Sequence, residues 1–198
     1  MAVTNADPRL EFITTTDALK HIERANRTHS GTRQENVAEH VWHATLMAMV
    51  FADAAPEGTD HDHVRDLLTA HDLVEIFAGD TVIWDNVAAA DQFAREAKAA
   101  EQLFATLPDA LRQQFTALWQ EFDAQETVEA RFARAIDALH PMVMSWGPGS
   151  IGHPNPDLRP AMVLARKAPM IEAFPDLWTV AQDLVRSAVE RGLLADDE

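Results

Sequence analysis

The strongest constraint on this chain is a helical stripe in which half of the inward positions are ionisable. Val64, Leu67, Leu68, His71, Asp72 and Glu75 follow the i, i+3, i+4, i+7, i+8, i+11 rhythm of one helix face. The three apolar members set the direction of that face, so the histidine and both acids point into the same interior as the leucines. Burying an unpaired carboxylate costs several kcal/mol, so a fold built on this helix must supply it with a partner, a hydrogen bond or a metal ion.

The rest of the chain reads as helix too. Apolar spacing predicts a first helix over about 16–27, with Leu19 and Ile22 on one side, then the polar run THSGTRQ, then a second helix over about 35–54 carrying Val37, Val41, Ala44, Ala48 and Phe51. The striped helix spans about 61–78 and closes at Gly79. Further helices are predicted over about 88–107, 108–122 with Pro108 at its first turn, 127–146, 161–173 and 176–192. No β alternation stands out. The 7 glycines, the absence of tyrosine and the richness in alanine favour the same class, an all-α bundle of about eight helices. A length of 198 residues predicts a single domain over 1–198, with a site-bearing core of about 16–146 and C-terminal helices of about 157–192 packed on it. The string GPGSIG at 147–152 matches G-x-G-x-x-G but follows a helix, and reads as a loop.

Two further helices repeat the anomaly of the stripe. His40 lies one turn from Val37 and from Ala44 and points inward with them, and Asp137 follows Ala133 by four residues beside Ile136. His40, His71, Asp72 and Asp137 thus converge from three helices. Two neutral nitrogens with two anionic oxygens suit one divalent ion of the Mn, Co, Fe, Ni or Zn group. Glu75 could orient a metal-bound water or move a proton, and Asp80, just after Gly79, can be aimed into the same mouth. His43 falls towards the exposed side of its helix, His140, one turn after Asp137, either supports a metal ligand from behind or is structural, and His61 and His63 sit in an acidic tract at a helix start.

Charge and cysteine content narrow the functions available. The formal net charge of −16 argues against a large phosphate-backbone contact, leaving small anions held on a few local cations. With no cysteine there is no disulfide, thiolate site or cysteine nucleophile. No apolar run reaches the roughly 18 residues of a membrane span, and the first residues lack a signal core, so the expectation is a cytoplasmic protein.

The histidine in ENVAEHVWHATLMA, the pair in LLTAHDLVEIFAGDT and the distant aspartate in ARFARAIDALHP together resemble the HD-domain metal-dependent phosphohydrolases, in particular the small branch that contains the 5'-deoxynucleotidases. The resemblance runs from about Leu19 to Gly192. It implies a helical bundle with metal ligation by His40, His71, Asp72 and Asp137, acid/base assistance by Glu75 and Asp80, and an arginine near the substrate phosphate at about Arg24. The characterised nucleotidases place a tryptophan close behind that arginine to disfavour a ribose 2'-hydroxyl; this chain has ANRTHSG.

The expected activity is metal-dependent hydrolysis of a phosphate monoester, a (deoxy)nucleoside 5'-monophosphate, to nucleoside and phosphate. The alternatives are a phosphatase for another small phosphate and a non-catalytic nucleotide-binding regulator. Among the cations, Arg24 is the expected phosphate contact and Lys98, sharing a helix face with Arg95, a second clamp. Trp84 either lines the mouth, where it would stack on a base, or plugs the bundle. The expected partners are a small phosphate substrate and a second copy of the chain in a homodimer, with no nucleic-acid polymer and no membrane.

Overall fold

A helix that buries more than half of its residues has to lie in the middle of its bundle. That helix is Val128–Trp146, with eleven buried residues among its nineteen. Thr127 caps it by accepting the Ala130 N–H at 3.1 Å. The computed structural model describes residues 7–80, 91–152 and 157–195. Within them the chain forms α1 (Pro8–Thr16), a 3-10 turn (Asp17–His21), β1 (Glu23–Arg27), β2 (Gln34–Asn36), α2 (Val37–Val50), a second 3-10 turn (Ala52–Ala54), α3 (His61–Ala70), α4 (Glu75–Ala78), α5 (Gln92–Phe104), α6 (Asp109–Ala124), α7 (Val128–Trp146), α8 (Pro160–Ile171) and α9 (Pro175–Glu190). The central α7 packs against α2, α3, α6, α8 and α9, so the C-terminal pair α8 and α9 leans on the same core as the helices before it. The all-α class holds.

Two local expectations do not. The segment predicted as a helix over about 16–27 is helical only to His21; Ile22 turns extended and Glu23–Arg27 pairs antiparallel with Gln34–Asn36. Leu19 and Ile22 mimic a helical rhythm, but the backbone hydrogen bonds of this stretch go to a distant strand. The Ile22 carbonyl accepts from Val37 N–H at 3.0 Å, and the Arg24 carbonyl accepts from the Gln34 side chain at 2.9 Å. Alternate strand residues share a face, so Arg24 and Asn26 both turn to the cavity described below.

The striped helix is also not continuous. Hydrogen bonding tightens after His71: Leu73, Glu75, Ile76 and Phe77 donate to carbonyls three residues back. In such a turn residues i and i+3 eclipse, which brings Asp72 and Glu75 over one another on the cavity side more closely than a straight α-helix would. Gly79 then takes φ 76° and ψ 156°, a conformation essentially reserved for glycine, and delivers Asp80 to the same mouth.

Candidate metal centre

Each inward polar side chain is placed by a locally determined element. Asn36 and Glu39 form a reciprocal capping box that starts α2 at Val37, and one turn later His40 lies fully buried with Val37 and Ala44. His71 closes α3, Asp72 opens the tight turn, and Asp137 projects from α7. Pro141, one turn beyond, withholds the N–H that the residue-137 carbonyl would otherwise accept.

The four expected ligands come together. His40 Nε2 lies 3.0 Å from Asp137 Oδ1 and 3.6 Å from Asp72 Oδ2, while His71 Nε2 lies 3.1 Å from Asp72 Oδ1 and 3.8 Å from Asp137 Oδ1. With bonds of about 2.1 Å, neighbouring donors around a tetrahedral or octahedral ion stand about 3.0–3.4 Å apart; the His40–Asp137 and His71–Asp72 spacings fall in that range, the other two are a few tenths of an ångström wider, and His40, His71 and Asp72 lie within chelating distance of one another. The proton placement fits as well. His71 Nδ1 donates to the Leu68 carbonyl at 2.7 Å, so Nε2 is the ring nitrogen turned to the cluster, where it takes a proton or a metal ion. The electrostatics likewise call for positive charge. Burial works against a charged His71, yet Asp72 and Asp137 outweigh it and push its pKa up to about 10. Burial raises Asp72, and the His71 imidazolium and Arg24 more than reverse it, to about 2. A cluster that binds a proton so firmly would exchange it for a metal ion.

Behind His40 is a second polar layer. His40 Nδ1 lies 3.0 Å from His140 Nδ1, and His140 Nε2 lies 3.0 Å from His43 Nδ1. With Nε2 of His40 kept free as a ligand, a consistent assignment has His40 donate to His140 and His140 donate to His43. The outward placement expected for His43 is therefore corrected: it is half-buried and ends this chain, with Trp42 stacked on it. His140 is not merely structural, since it orients a candidate ligand. Buried Glu35, missed in the sequence, stands 3.8 Å from His40 Nδ1, 3.7 Å from His140 Nε2 and 3.7 Å from Arg24 Nε; burial raises its pKa to about 7. Its signal was the alternation of Glu35 with Val37, both buried, leading into the capping box.

On the open side Arg24 Nη1 lies 3.2 Å from Asp72 Oδ2 and 3.9 Å from Asp80 Oδ1, so the expected phosphate contact does face the ligand cluster. Glu75 is buried, one carboxyl oxygen has no partner, and burial together with Asp72 and Asp80 pushes its pKa up to about 10. Asp80 is raised less clearly, because Arg24 and the Ala25 N–H pull against burial. These groups line a cavity of about 680 Å³ that also receives Arg134, Arg166 and Lys167.

The second expected clamp fails. Lys98 is exposed on α5 and does not line the cavity, because the inward face of that helix is set by Ala99, Ala100 and Leu103. Lys167 takes up the cationic side instead, from α8. Its signal was present in the sequence: Val163, Lys167 and Ile171 fall four residues apart and are the buried positions of that helix. Trp84 lies outside the described residues. His63 Nε2 meets Glu121 at 2.9 Å, away from the cavity.

Three comparisons bear on this arrangement. A family model described as HD domain matches residues 16–178. The chain is 30% identical over 129 residues to the human protein named 5'-deoxynucleotidase HDDC2, a match covering 65% of this chain and 62% of that protein. It is 28% identical over 140 residues to the Danio rerio protein of the same name, covering 70% and 68%. A crystal structure of a predicted metal-dependent phosphohydrolase from Magnetospirillum magnetotacticum superposes with a TM-score of 0.81 at 37% identity, covering 95% of this chain and 94% of that one. The match thus spans about three fifths of the human relative and nearly the whole of the solved bacterial chain.

Proposed function

The chain belongs to the HD domain family, and from that membership we propose that it is a metal-dependent phosphohydrolase that converts a nucleoside 5'-monophosphate to nucleoside and inorganic phosphate. The observation that carries this reading is the donor set of His40, His71, Asp72 and Asp137 at 3.0–3.8 Å spacing, opening onto a cavity that also holds Arg24, Glu75 and Asp80. The names of the relatives, a 5'-deoxynucleotidase and a metal-dependent phosphohydrolase, supply the substrate class.

A divalent ion at these donors supplies an acidified water and neutralises charge on the phosphoryl group. The chain's own residues divide the remaining work. Arg24 holds a phosphoryl oxygen. Asp80, which burial raises while Arg24 and the Ala25 N–H favour its charged form, takes the proton of the attacking water. Glu75 holds a proton at neutral pH chiefly because it is buried, and passes it to the leaving 5' oxygen as the phosphorus–oxygen bond breaks. Asn26 lines the cavity two residues after Arg24 and offers it an amide able to hydrogen-bond a 2'-hydroxyl. Ribonucleotides are therefore part of the proposed substrate range.

The same reading keeps a homodimer and a cytoplasmic location. Trp42, Leu46, Met49 and Val50 form an exposed apolar stripe on α2, suited to a second copy of the chain. Trp42→Glu should then shift the protein to monomer in light scattering. Among the described residues no helix is long and apolar enough to cross a membrane.

The direct test is phosphate release by purified protein reconstituted with Mn, Co or Ni, against deoxy- and ribonucleoside monophosphates with sugar phosphates as controls. Release from nucleoside monophosphates is expected. No release from any of them sinks the nucleotidase reading, and release from sugar phosphates alone moves the substrate to another small phosphate.

A further inference from the structure

Lys167 is a buried cation that the chemistry above leaves unused. It is 5% exposed, lies on α8 between Val163 and Ile171, and lines the cavity together with Asp72, Asp137 and Arg24. Among the described residues no hydrogen bond or ion pair engages its ammonium group. The other cations near the donor cluster are committed. Arg24 holds Asp72, and Arg134 lies over the Phe122 ring at 4.4 Å with Nη1 3.4 Å from Asp137 Oδ2.

The charges around Lys167 do not neutralise it. Its field comes from Asp137 on the attractive side and from Arg24, Arg134 and Arg166 on the repulsive side. Its stem is withdrawn from water and its ammonium meets solvent only through the cavity, so burial first, and three like charges after it, disfavour the charged form in the protein by itself. It becomes favourable once an anion enters the cavity. The position beside Asp137 and Arg24 puts that anion next to the metal-ligand cluster, at the phosphoryl end of the cavity.

We infer that Lys167 is a substrate-binding residue whose ammonium forms an anion subsite, gripping a phosphoryl oxygen from α8 while Arg24 grips another from β1. The inference deepens the phosphohydrolase reading and rests on it for the identity of the anion. It also gives the C-terminal helices a part in the site. A phosphate held by Arg24 of β1 and Lys167 of α8 is gripped by cations from two separate elements, which neither a single arginine nor a surface lysine such as Lys98 could provide.

The test uses full-length protein stripped with EDTA and titrated with inorganic phosphate in a calorimeter, so that binding is read without turnover. Wild type should bind. Lys167→Met should weaken binding by about tenfold or more, the loss of one charge-assisted hydrogen bond, whereas Lys167→Arg should retain most of it. Without phosphate, Lys167→Met should melt no lower than wild type, and at equal phosphate concentration its rise in melting temperature should be smaller than that of wild type. If Lys167→Met does not fold, Lys167→Gln carries the same comparison. Undetectable binding by wild type, or equal binding by the charge-removing variant, overturns the inference. The nucleotidase reading fails separately: phosphate binding that depends on Lys167 in a protein that hydrolyses no nucleoside monophosphate would leave the anion subsite standing and remove only the substrate.

Discussion

The two ring nitrogens of His40 open onto clusters that are alike in composition and unlike in what they can bind. Nε2 faces His71, Asp72 and Asp137; Nδ1 faces His140 and Glu35. Each side gathers histidine and carboxylate within chelating distance: His40, His71 and Asp72 on one, Glu35, His40 and His140 on the other. On the back side the imidazoles spend their nitrogens on one another at 3.0 Å, and His40 and His140 are fully buried. On the front side His71 Nε2 is turned to the carboxylates and the donors border a cavity of about 680 Å³. A metal site needs free lone pairs and a way in, beyond the right residue types. The front has both, and the back is built to aim it.

The largest effect expected from breaking this contrast is on the front. Asp72→Ala should reduce both bound metal, by elemental analysis, and phosphate release to background, because it removes a ligand and the carboxylate that stands 3.1 Å from His71 Nε2. Next, Glu75→Gln should lower kcat by about 10²–10⁴-fold while metal content stays near wild type, separating proton transfer from ligation. Wild-type turnover in that variant would remove Glu75 from the mechanism.

On the back, His140→Phe should fill the space, leave His40 without its acceptor and weaken metal affinity by about 10–100-fold, with turnover largely recovered at saturating metal. Metal lost even at saturation would mean that the back cluster itself ligates. The smallest effect concerns Glu35. Its folded pKa of about 7 lies above the ordinary 4.5, so the folded state holds the proton more tightly. Below pH 4.5 the residue is protonated whether folded or not and imposes no penalty. Stability falls as pH rises from 4.5 towards 7, and the penalty is complete above that. Glu35→Gln should therefore match wild type near pH 4 and exceed it above pH 7, by at most about 3 kcal/mol in denaturant titrations. A constant difference across that range would show that Glu35 does not titrate there.

Much of the front cluster was legible before any coordinates. Val37 and Ala44 pointed His40 inward, Val64 and Leu68 did the same for His71 and Asp72, and Ala133 and Ile136 did so for Asp137. The same pattern places Lys167 between Val163 and Ile171 on the inward face of α8, whereas Lys98 lies on a solvent face of α5. The back cluster was harder to see. His43 and His140 lie 97 residues apart, and nothing in either helix says that their rings meet at 3.0 Å.

Local hydrogen bonding and side-chain periodicity act within one element, so the amino-acid sequence determined the helical class, the inward direction of the ligand residues and the demand for a buried cation. It could not determine the hairpin, since Ile22 and Arg24 take their backbone partners from residues 34–37. Nor could it join Lys167 to Arg24, 143 residues away along the chain, or bond His40 to His140. Those are contacts between elements, and their geometry exists only once α2, α3, α7 and α8 have packed.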